Sequence, residues 1–205
     1  MQKKFELTGE CVTHFGAKLF RVKALIAFGD IEVGELGGYV EREENLDQSG
    51  DAWVYGNAWV YGDARVSGDA WVSGNARVSG NAWVYGDARV SGNARVSGNA
   101  WVSGNARVSG NARVYGDARV FKSTHLFQLG AIGSRSDFTT FFRIKTNKIY
   151  VSCGCFSGDI DQFEDAVHET HAGTKHEQTY MLAIQLAKAQ IELDVEGADE
   201  DTLAL

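Results

Sequence analysis

The chain has 205 residues, a formal net charge of −7 and three cysteines, and it contains 24 glycines but no proline. Three cysteines cannot build a framework of several disulfides, and no apolar stretch approaches the roughly 20 residues of a membrane helix. The start, MQKKFELTGE, lacks the apolar core of a signal peptide. These features predict a soluble protein of the cytoplasm.

Residues 1–49 predict an N-terminal cap made of β structure. The segment KLFRVKALIAF mixes apolar and polar residues as strands do, and GELGGYVEREENL follows it. Val40 and Leu46 are six residues apart and resemble a degenerate first rung of the repeat that comes next. The step from Leu46 to Val54 is two residues too long for that repeat. We therefore expect the regular repeat structure to start near Gly50.

Residues 50–121 form twelve consecutive six-residue repeats. Each repeat reads Gly, Asp or Asn, Ala, Trp or Arg, Val, and then Ser, Tyr or Phe. Valine is invariant from Val54 to Val120, and alanine lies two residues before each valine, so both point to the same side of a strand. Glycine followed by Asp or Asn tolerates the positive φ of a sharp corner. The pattern predicts a parallel β-helix with a valine and alanine core.

This repeat resembles the left-handed β-helix of hexapeptide-repeat acyltransferases, in which three hexapeptides form one triangular coil. The resemblance implies four coils, with residues eighteen apart stacked on each other. The outward positions then form three columns: Trp53, Trp71, Arg89 and Arg107; Trp59, Arg77, Arg95 and Arg113; and Arg65, Trp83, Trp101 and Arg119.

Two corner columns have distinct chemistry in this arrangement. Asn57, Asn75, Asn93 and Asn111 would stack as a ladder of side-chain amides. Asp51, Asp69 and Asp87 would stack as carboxylates, which repel each other and favour a cation or a nearby arginine. Solvated corner residues screened by salt are the alternative.

Exposed columns of tryptophan exceed what a soluble monomer usually shows. They predict either a subunit interface or cover by a flanking segment, and the candidate interface residues are Trp53, Trp71, Trp83 and Trp101. Acyltransferases of this fold are trimers, so the resemblance favours a homotrimer among the possible homo-oligomers.

Residues 122–194 predict a C-terminal α+β module that closes the helix, and residues 195–205 an acidic tail. The apolar spacing of six continues through Val120, Leu126, Ile132 and Phe138, which predicts a degenerate fifth coil. The segment TTFFRIKTNKIYVSCG then predicts a β-hairpin that turns at 146–147.

Two helices are predicted after the hairpin. Asp159 and Gln162 have the spacing of a capping box at the start of the first helix. Its apolar face consists of Ile160, Phe163 and Val167. The second helix, roughly 177–193, is expected to bury Met181, Ile184, Leu186 and Ile191.

A second resemblance covers nearly the whole chain. It rests on the AWVYGNA repeats and on the segments KFELTGE, LFRVKALIAFGDIEVGELGGYVEREENL, GSRSDFTTFF, YVSCGCFSG and FEDAVHETH. They are similar to a family of hexapeptide-repeat proteins that phages and prophages encode. The resemblance implies a viral accessory protein in the cytoplasm of an infected bacterial host, and it implies no reaction.

The polar stretch GSRSDFTT is the best candidate for a ligand site. Ser134, Arg135, Thr139 and Thr140 offer hydroxyls and a guanidinium, which are the groups that bind a phosphate or carboxylate. These residues should rim the end of the last coil. An ordinary capping turn has the same composition, and this alternative stays open.

Catalytic and metal sites find less support in the sequence. The acyltransferase reaction needs a histidine base, and the repeats contain none, although His125 falls in an outward slot above Arg107. Cys153 and Cys155 with His168, His171 and His176 match no common zinc pattern. We predict no catalytic residue, no metal and no cofactor.

The sequence thus favours a phage accessory binding protein, with counter-defence as a possible role. Its partner would be an anionic small molecule such as a host nucleotide signal, or a host defence protein. A structural or interaction module is the first alternative and an acyltransferase the second. The charge is −3 over residues 1–49, +2 over 50–121 and −6 over 122–205, so charge predicts neither a nucleic-acid nor a membrane partner.

Overall fold

A computed structural model describes residues 2–193 of the chain. Three strands form the N-terminal cap: β1 (Phe5–His14), β2 (Ala17–Ala24) and β3 (Leu36–Val40). The antiparallel hairpin of β1 and β2 turns at Phe15 and Gly16, which have φ of 46° and 86°. Strand β3 pairs antiparallel with β2 on one side and parallel with the repeats on the other. The cap therefore continues directly into the repeat structure.

Each of the twelve repeats contributes one strand of two residues, Trp or Arg followed by Val. Strands three repeats apart pair in parallel and in register, so Arg95 lies between Arg77 and Arg113. The stacking of residues eighteen apart is thereby confirmed. The strands β4 to β15 are Trp53–Val54, Trp59–Val60, Arg65–Val66, Trp71–Val72, Arg77–Val78, Trp83–Val84, Arg89–Val90, Arg95–Val96, Trp101–Val102, Arg107–Val108, Arg113–Val114 and Arg119–Val120.

These strands enclose the main core of a β-solenoid of about five turns. The twelve valines and the alanines before them are 0–1% exposed. The corner glycines have positive φ and stack closely: a Cβ at Gly68 would lie 2.9 Å from the backbone nitrogen of Gly86. Only glycine satisfies both the dihedral angle and the spacing, which explains its strict period.

The solenoid begins before residue 50, inside the segment that we assigned to the cap. Val40 pairs with Val60, and Leu46 forms a bridge to Val66. The two extra residues before Val54 are taken up at the corner, where Lys4 Nζ donates to carbonyl oxygens of residues 49, 50 and 52 at 3.0–3.2 Å. An irregular corner in the sequence is therefore compatible with a regular coil.

The C-terminal module contains one antiparallel sheet with the order β16 (Leu126–Ile132), β17 (Asp137–Arg143), β18 (Ile149–Cys153) and β19 (Phe156–Asp159). The predicted hairpin is confirmed, since β17 pairs with β18 and Asn147 has a φ of 55° in the turn. The predicted coil through Leu126, Ile132 and Phe138 is wrong. Strand β16 pairs antiparallel with β17 instead, and only Leu126 of these three packs against the solenoid core.

Helices α1 (Ile160–His171) and α2 (Lys175–Gln190) pack against this sheet. The capping box of Asp159 and Gln162 is confirmed, with two hydrogen bonds of 2.9 Å. The prediction that Leu186 is buried is wrong, because its side chain is 52% exposed. The buried face of α2 instead consists of Tyr180, Ala183, Ile184 and Ala187, with Ile191 after the helix. Across residues 2–193, no helix has both the length and the apolarity to span a membrane.

Candidate functional site

The C-terminal module contains a cavity of about 420 Å³, which we call the C-terminal pocket. The β16–β17 turn, the β18–β19 turn and both helices contribute to its wall. Its polar and thiol-bearing lining consists of Ser134, Arg135, Asp137, Cys153, Cys155, Thr170, His171 and Tyr180. Its apolar lining consists of Ile132, Phe156, Phe163, Ala166 and Val167, and Gly154 completes the wall.

Two of the four predicted ligand-binding residues line this pocket. Ser134 and Arg135 lie in the turn between β16 and β17, which begins at Gly133 with a φ of 73°. Arg135 reaches the opposite turn, since a Cβ at Gly154 would lie 3.6 Å from its Nη1 atom. The guanidinium therefore lies between the two turns at the rim of the cavity.

The other two predicted residues do not face the pocket. Thr139 is fully buried, and its hydroxyl donates to Cys153 Sγ at 3.2 Å. Thr140 is 1% exposed, and its Oγ1 accepts from the backbone N–H of Arg113 at 3.3 Å. Their predicted contact with a ligand is wrong, because strand β17 uses both hydroxyls inside the protein.

Tyr180 forms part of the floor of the pocket. The thiol of Cys153 donates to its hydroxyl at 3.8 Å. Burial, followed by the nearby Cys153, raises the pKa of Tyr180 to about 12. The phenol hydroxyl thus stays protonated and is available as a donor. A Cβ at Gly133 would lie 1.7 Å from this hydroxyl, so the tyrosine packs directly against the backbone where the Ser134–Arg135 turn begins.

Aromatic rings cover one side of the cavity. Phe163 lies 5.0 Å from Phe156 and 5.5 Å from Tyr180 between ring centroids, and His171 lies 5.6 Å from Tyr180. The sequence indicated Phe163 only as a core residue of α1. Its role in the pocket depends on how α1 packs against the sheet, for which the sequence has no local signal.

His168 and His125, two histidines that the sequence offered as candidates for chemistry, both lie outside the pocket. His168 Nδ1 lies 2.7 Å from Glu177 Oε1, outside the pocket. His125 was expected to point outward, and this is wrong: it is fully buried, and its Nδ1 accepts from the backbone N–H of Phe121 at 3.2 Å. A base in this position has no open path to a substrate, which weakens the acyltransferase alternative.

The tryptophan columns are partly covered within the chain. Trp53 is fully buried beneath Phe5 and Phe28, whose ring centroids lie 6.3 Å and 5.3 Å away. It has no surface to offer a second subunit, so its assignment to an interface is wrong. Trp83 is 41% exposed and Trp71 and Trp101 are partly exposed.

The corner columns stack as their sequence indicates. Asn75 donates to Asn93 at 3.3 Å, and Asn93 donates to Asn111 at 3.2 Å, which confirms the predicted ladder of amides for these three of its four residues. The carboxylate column of Asp51, Asp69 and Asp87 lines a second, smaller cavity of about 220 Å³. Arg89 lines the same cavity, in agreement with the expected nearby arginine.

The C-terminal pocket thus combines a guanidinium and a hydroxyl at its rim with aromatic rings along its wall. Such a site suits a ligand that has an anionic group at one end and a flat or apolar group at the other. Asp137 also lines the pocket, and a carboxylate there disfavours a second anionic group beside it.

Comparison with known proteins identifies the repeat and leaves the pocket undescribed. A family model described as YdcK beta solenoid repeat matches six partly overlapping stretches: 58–74, 70–86, 88–104, 100–114, 106–120 and 112–126. A search of curated proteins finds no match. All six stretches lie before the C-terminal sheet, apart from the first residue of β16. The chain is therefore a β-solenoid repeat protein that carries a separate pocket in its C-terminal module.

Proposed function

We propose that this protein binds and sequesters a small anionic molecule, most simply a nucleotide, in its C-terminal pocket. The observation that carries the proposal is the position of Arg135 and Ser134 at the rim of a cavity of about 420 Å³ with an aromatic wall. This volume lies within the range of roughly 300–1,000 Å³ that small-molecule sites occupy.

Each end of the pocket has a distinct role in this proposal. The planar guanidinium of Arg135 donates two parallel hydrogen bonds to a phosphate, and the Ser134 hydroxyl supplies a further donor. A base then lies along Phe156 and Phe163, since aromatic rings bind the faces of bases with little dependence on their identity. The protonated hydroxyl of Tyr180 supplies a donor at the floor.

The biological setting that we propose is a phage accessory function. The resemblance to phage-encoded repeat proteins supports it, and sequestration of a host nucleotide signal needs binding without turnover. The solenoid would serve as a rigid support, with a homotrimer assembled through Trp71, Trp83 and Trp101 in the host cytoplasm.

A second candidate function is the blocking of a host protein. Leu182 and Leu186, one turn apart on α2, are 61% and 52% exposed. Two exposed leucines on one helix face offer an apolar contact to the groove of another protein. This surface is separate from the pocket lining.

Mass spectrometry of small molecules released by denaturing the purified protein tests the first proposal directly. Thermal melting with a panel of cyclic and linear nucleotides provides the second measurement. We expect Arg135→Ala to abolish the stabilisation by the bound nucleotide, because the anionic group loses its fork of donors. Arg107→Ala removes an exposed arginine of the solenoid and serves as the matched control.

The possible outcomes separate the two functions. A nucleotide that raises the melting temperature of wild type and of Arg107→Ala, but not of Arg135→Ala, supports the pocket. If wild type releases no small molecule and no nucleotide changes its melting temperature, sequestration is wrong and protein blocking takes its place.

A further inference from the structure

One face of the solenoid carries a straight row of like charges. Arg77, Arg95 and Arg113 are in register on the consecutive strands β8, β11 and β14, and we call them the arginine row. The valines that follow them point into the core and are fully buried. The three guanidinium groups therefore start from outward positions spaced about 4.8 Å apart, the distance between paired strands.

The charges of this row are not compensated within the described part of the chain. Arg77 lies over the ring of Trp59 at 4.4 Å. Arg95 and Arg113 are exposed, and neither forms a salt bridge among residues 2–193. On another face Arg65 and Arg119 both lie over tryptophan rings, at 5.8 Å and 4.4 Å. Within residues 2–193, Arg95 and Arg113 of the row thus have neither an ion-pair partner nor an aromatic ring over which to lie.

The corners beside the row contribute almost no negative charge. The flanking corner residues are Asn75, Asn81, Asn93, Asn99, Asn111 and Asp117, of which only the last is acidic. Across the asparagine corner, Arg89 and Arg107 are paired in register on the neighbouring face. A positive strip therefore exists in a protein whose net charge is −7, which overall composition does not reveal.

Like charges directly opposite each other on paired strands destabilise a sheet. A partner that supplies closely spaced negative charges removes this repulsion and gains bidentate contacts, since guanidinium groups match the geometry of phosphate. The row lies on two-residue strands of a parallel sheet, and it contains no helix of the kind that enters the major groove of a duplex. Trp59 is partly exposed at one end of the row, where Arg77 lies over its ring and the His14 ring is 4.9 Å away between centroids.

We propose that the arginine row binds the phosphate backbone of single-stranded nucleic acid. We infer this partner from the linear array of charges and from arginine as the only cation of the repeats. The site is distinct from the C-terminal pocket, because no residue of the row lines that cavity. We expect binding to depend little on base sequence, since contacts to phosphate carry no sequence information.

Fluorescence anisotropy with a labelled oligothymidine of 20 nucleotides tests this proposal at 50 and 200 mM salt. Three phosphate contacts on a single strand predict a slope of about −2.1 for log K against log salt, which is roughly an 18-fold loss of affinity between these concentrations. Arg95→Gln with Arg113→Gln should reduce the magnitude of the slope by about 1.4. Arg65→Gln with Lys175→Gln removes the same charge elsewhere and should leave the slope unchanged.

Arg135→Ala in the pocket should also bind the oligonucleotide like wild type, which keeps this test separate from the proposed function. No anisotropy change at 50 mM salt with the protein at 100 μM would overturn the proposal. Equal losses in the row variant and the charge-matched control would overturn it as well. Binding of heparin without binding of the oligonucleotide would replace nucleic acid with an anionic polysaccharide.

Discussion

The indole rings of Trp83 and Trp101 lie parallel, with centroids 5.5 Å apart and planes 8° from each other. Arg65 lies over Trp83 at 5.8 Å, and Arg119 lies over Trp101 at 4.4 Å. In this column, four successive coils place two stacked tryptophan rings between two arginine side chains. The arginine row on the other face has no such arrangement. Because the outer ring faces carry arginine, this column presents ring edges to solvent.

We predict that Trp101→Ala destabilises the protein by about 1–3 kcal/mol, because it removes the stack with Trp83 and the contact between the indole ring and the Arg119 guanidinium. Urea unfolding measures the change. Combination with Arg119→Gln in a double-mutant cycle should give a coupling energy of about 0.5–2 kcal/mol. Purely additive effects of the two substitutions would contradict a ring–cation contact.

We predict that Trp83→Glu dissociates the proposed homo-oligomer, since a charge at a desolvated aromatic contact opposes association. Multi-angle light scattering at micromolar concentration measures the mass. Arg65→Gln, which leaves the tryptophan in place, is the control. A wild-type protein that runs as a monomer would refute the oligomer itself.

We predict that Lys4 makes stability rise with pH above neutrality. Burial lowers the pKa of Lys4 from 10.5 to about 8, although the carboxylates of Asp47 and Asp51 oppose this change. Between about pH 8 and 10.5 the unfolded chain binds more protons at this residue than the folded chain does. The free energy of unfolding attributable to Lys4 therefore increases with pH across that window.

Urea unfolding of wild type and Lys4→Met at several pH values between 7 and 10 isolates this contribution. The stability difference between wild type and variant should grow in favour of wild type as pH rises. Other groups, including the tyrosines, titrate in both proteins and cancel in the difference. A difference that stays constant over this range would show that the folded chain does not perturb the amine.

We predict that Gly133→Ala lowers the melting temperature and disrupts the C-terminal pocket. The new methyl group would collide with the Tyr180 hydroxyl, 1.7 Å from the Cβ position, and the φ of 73° adds strain. Gly34→Ala is the matched control, because Gly34 has a φ of 87° and no heavy atom within 4 Å of a Cβ. Its loss of stability reports the strain alone. Equal losses of stability in the two variants would mean that the Tyr180 side chain moves away from the new methyl group at no cost in free energy.

The repeat structure was predictable because its period is visible in every coil. Val54 to Val120 define the core, whereas the eighteen-residue stacking was implied by the resemblance to hexapeptide-repeat acyltransferases, which have three repeats per turn. The two ends of the solenoid were less predictable. Lys4 fills an irregular corner from a distant part of the chain, and the apolar spacing through Ile132 also fits the antiparallel strand that forms instead.

The pocket was predictable in part. Hydroxyls and a guanidinium in a short polar segment indicated Ser134 and Arg135. The same composition also indicated Thr139 and Thr140, but strand β17 begins at Asp137 and turns both into the interior. Phe163 and Tyr180 have no sequence signal as pocket residues, because a helix face that is apolar looks the same whether it lines a core or a cavity.

The cap strands β1, β2 and β3 belong to the same seven-stranded sheet as one face of the solenoid. At the other end the chain crosses the last coil, where Ala118 bridges Ile144 and the N–H of Lys145 donates to the carbonyl of Asp117. A stack of parallel coils would otherwise present open strand edges at both ends, and such edges join copies of a protein end to end. The cap and the C-terminal module fold across these ends, so neither end presents the bare parallel coil on which a second copy could continue the stack.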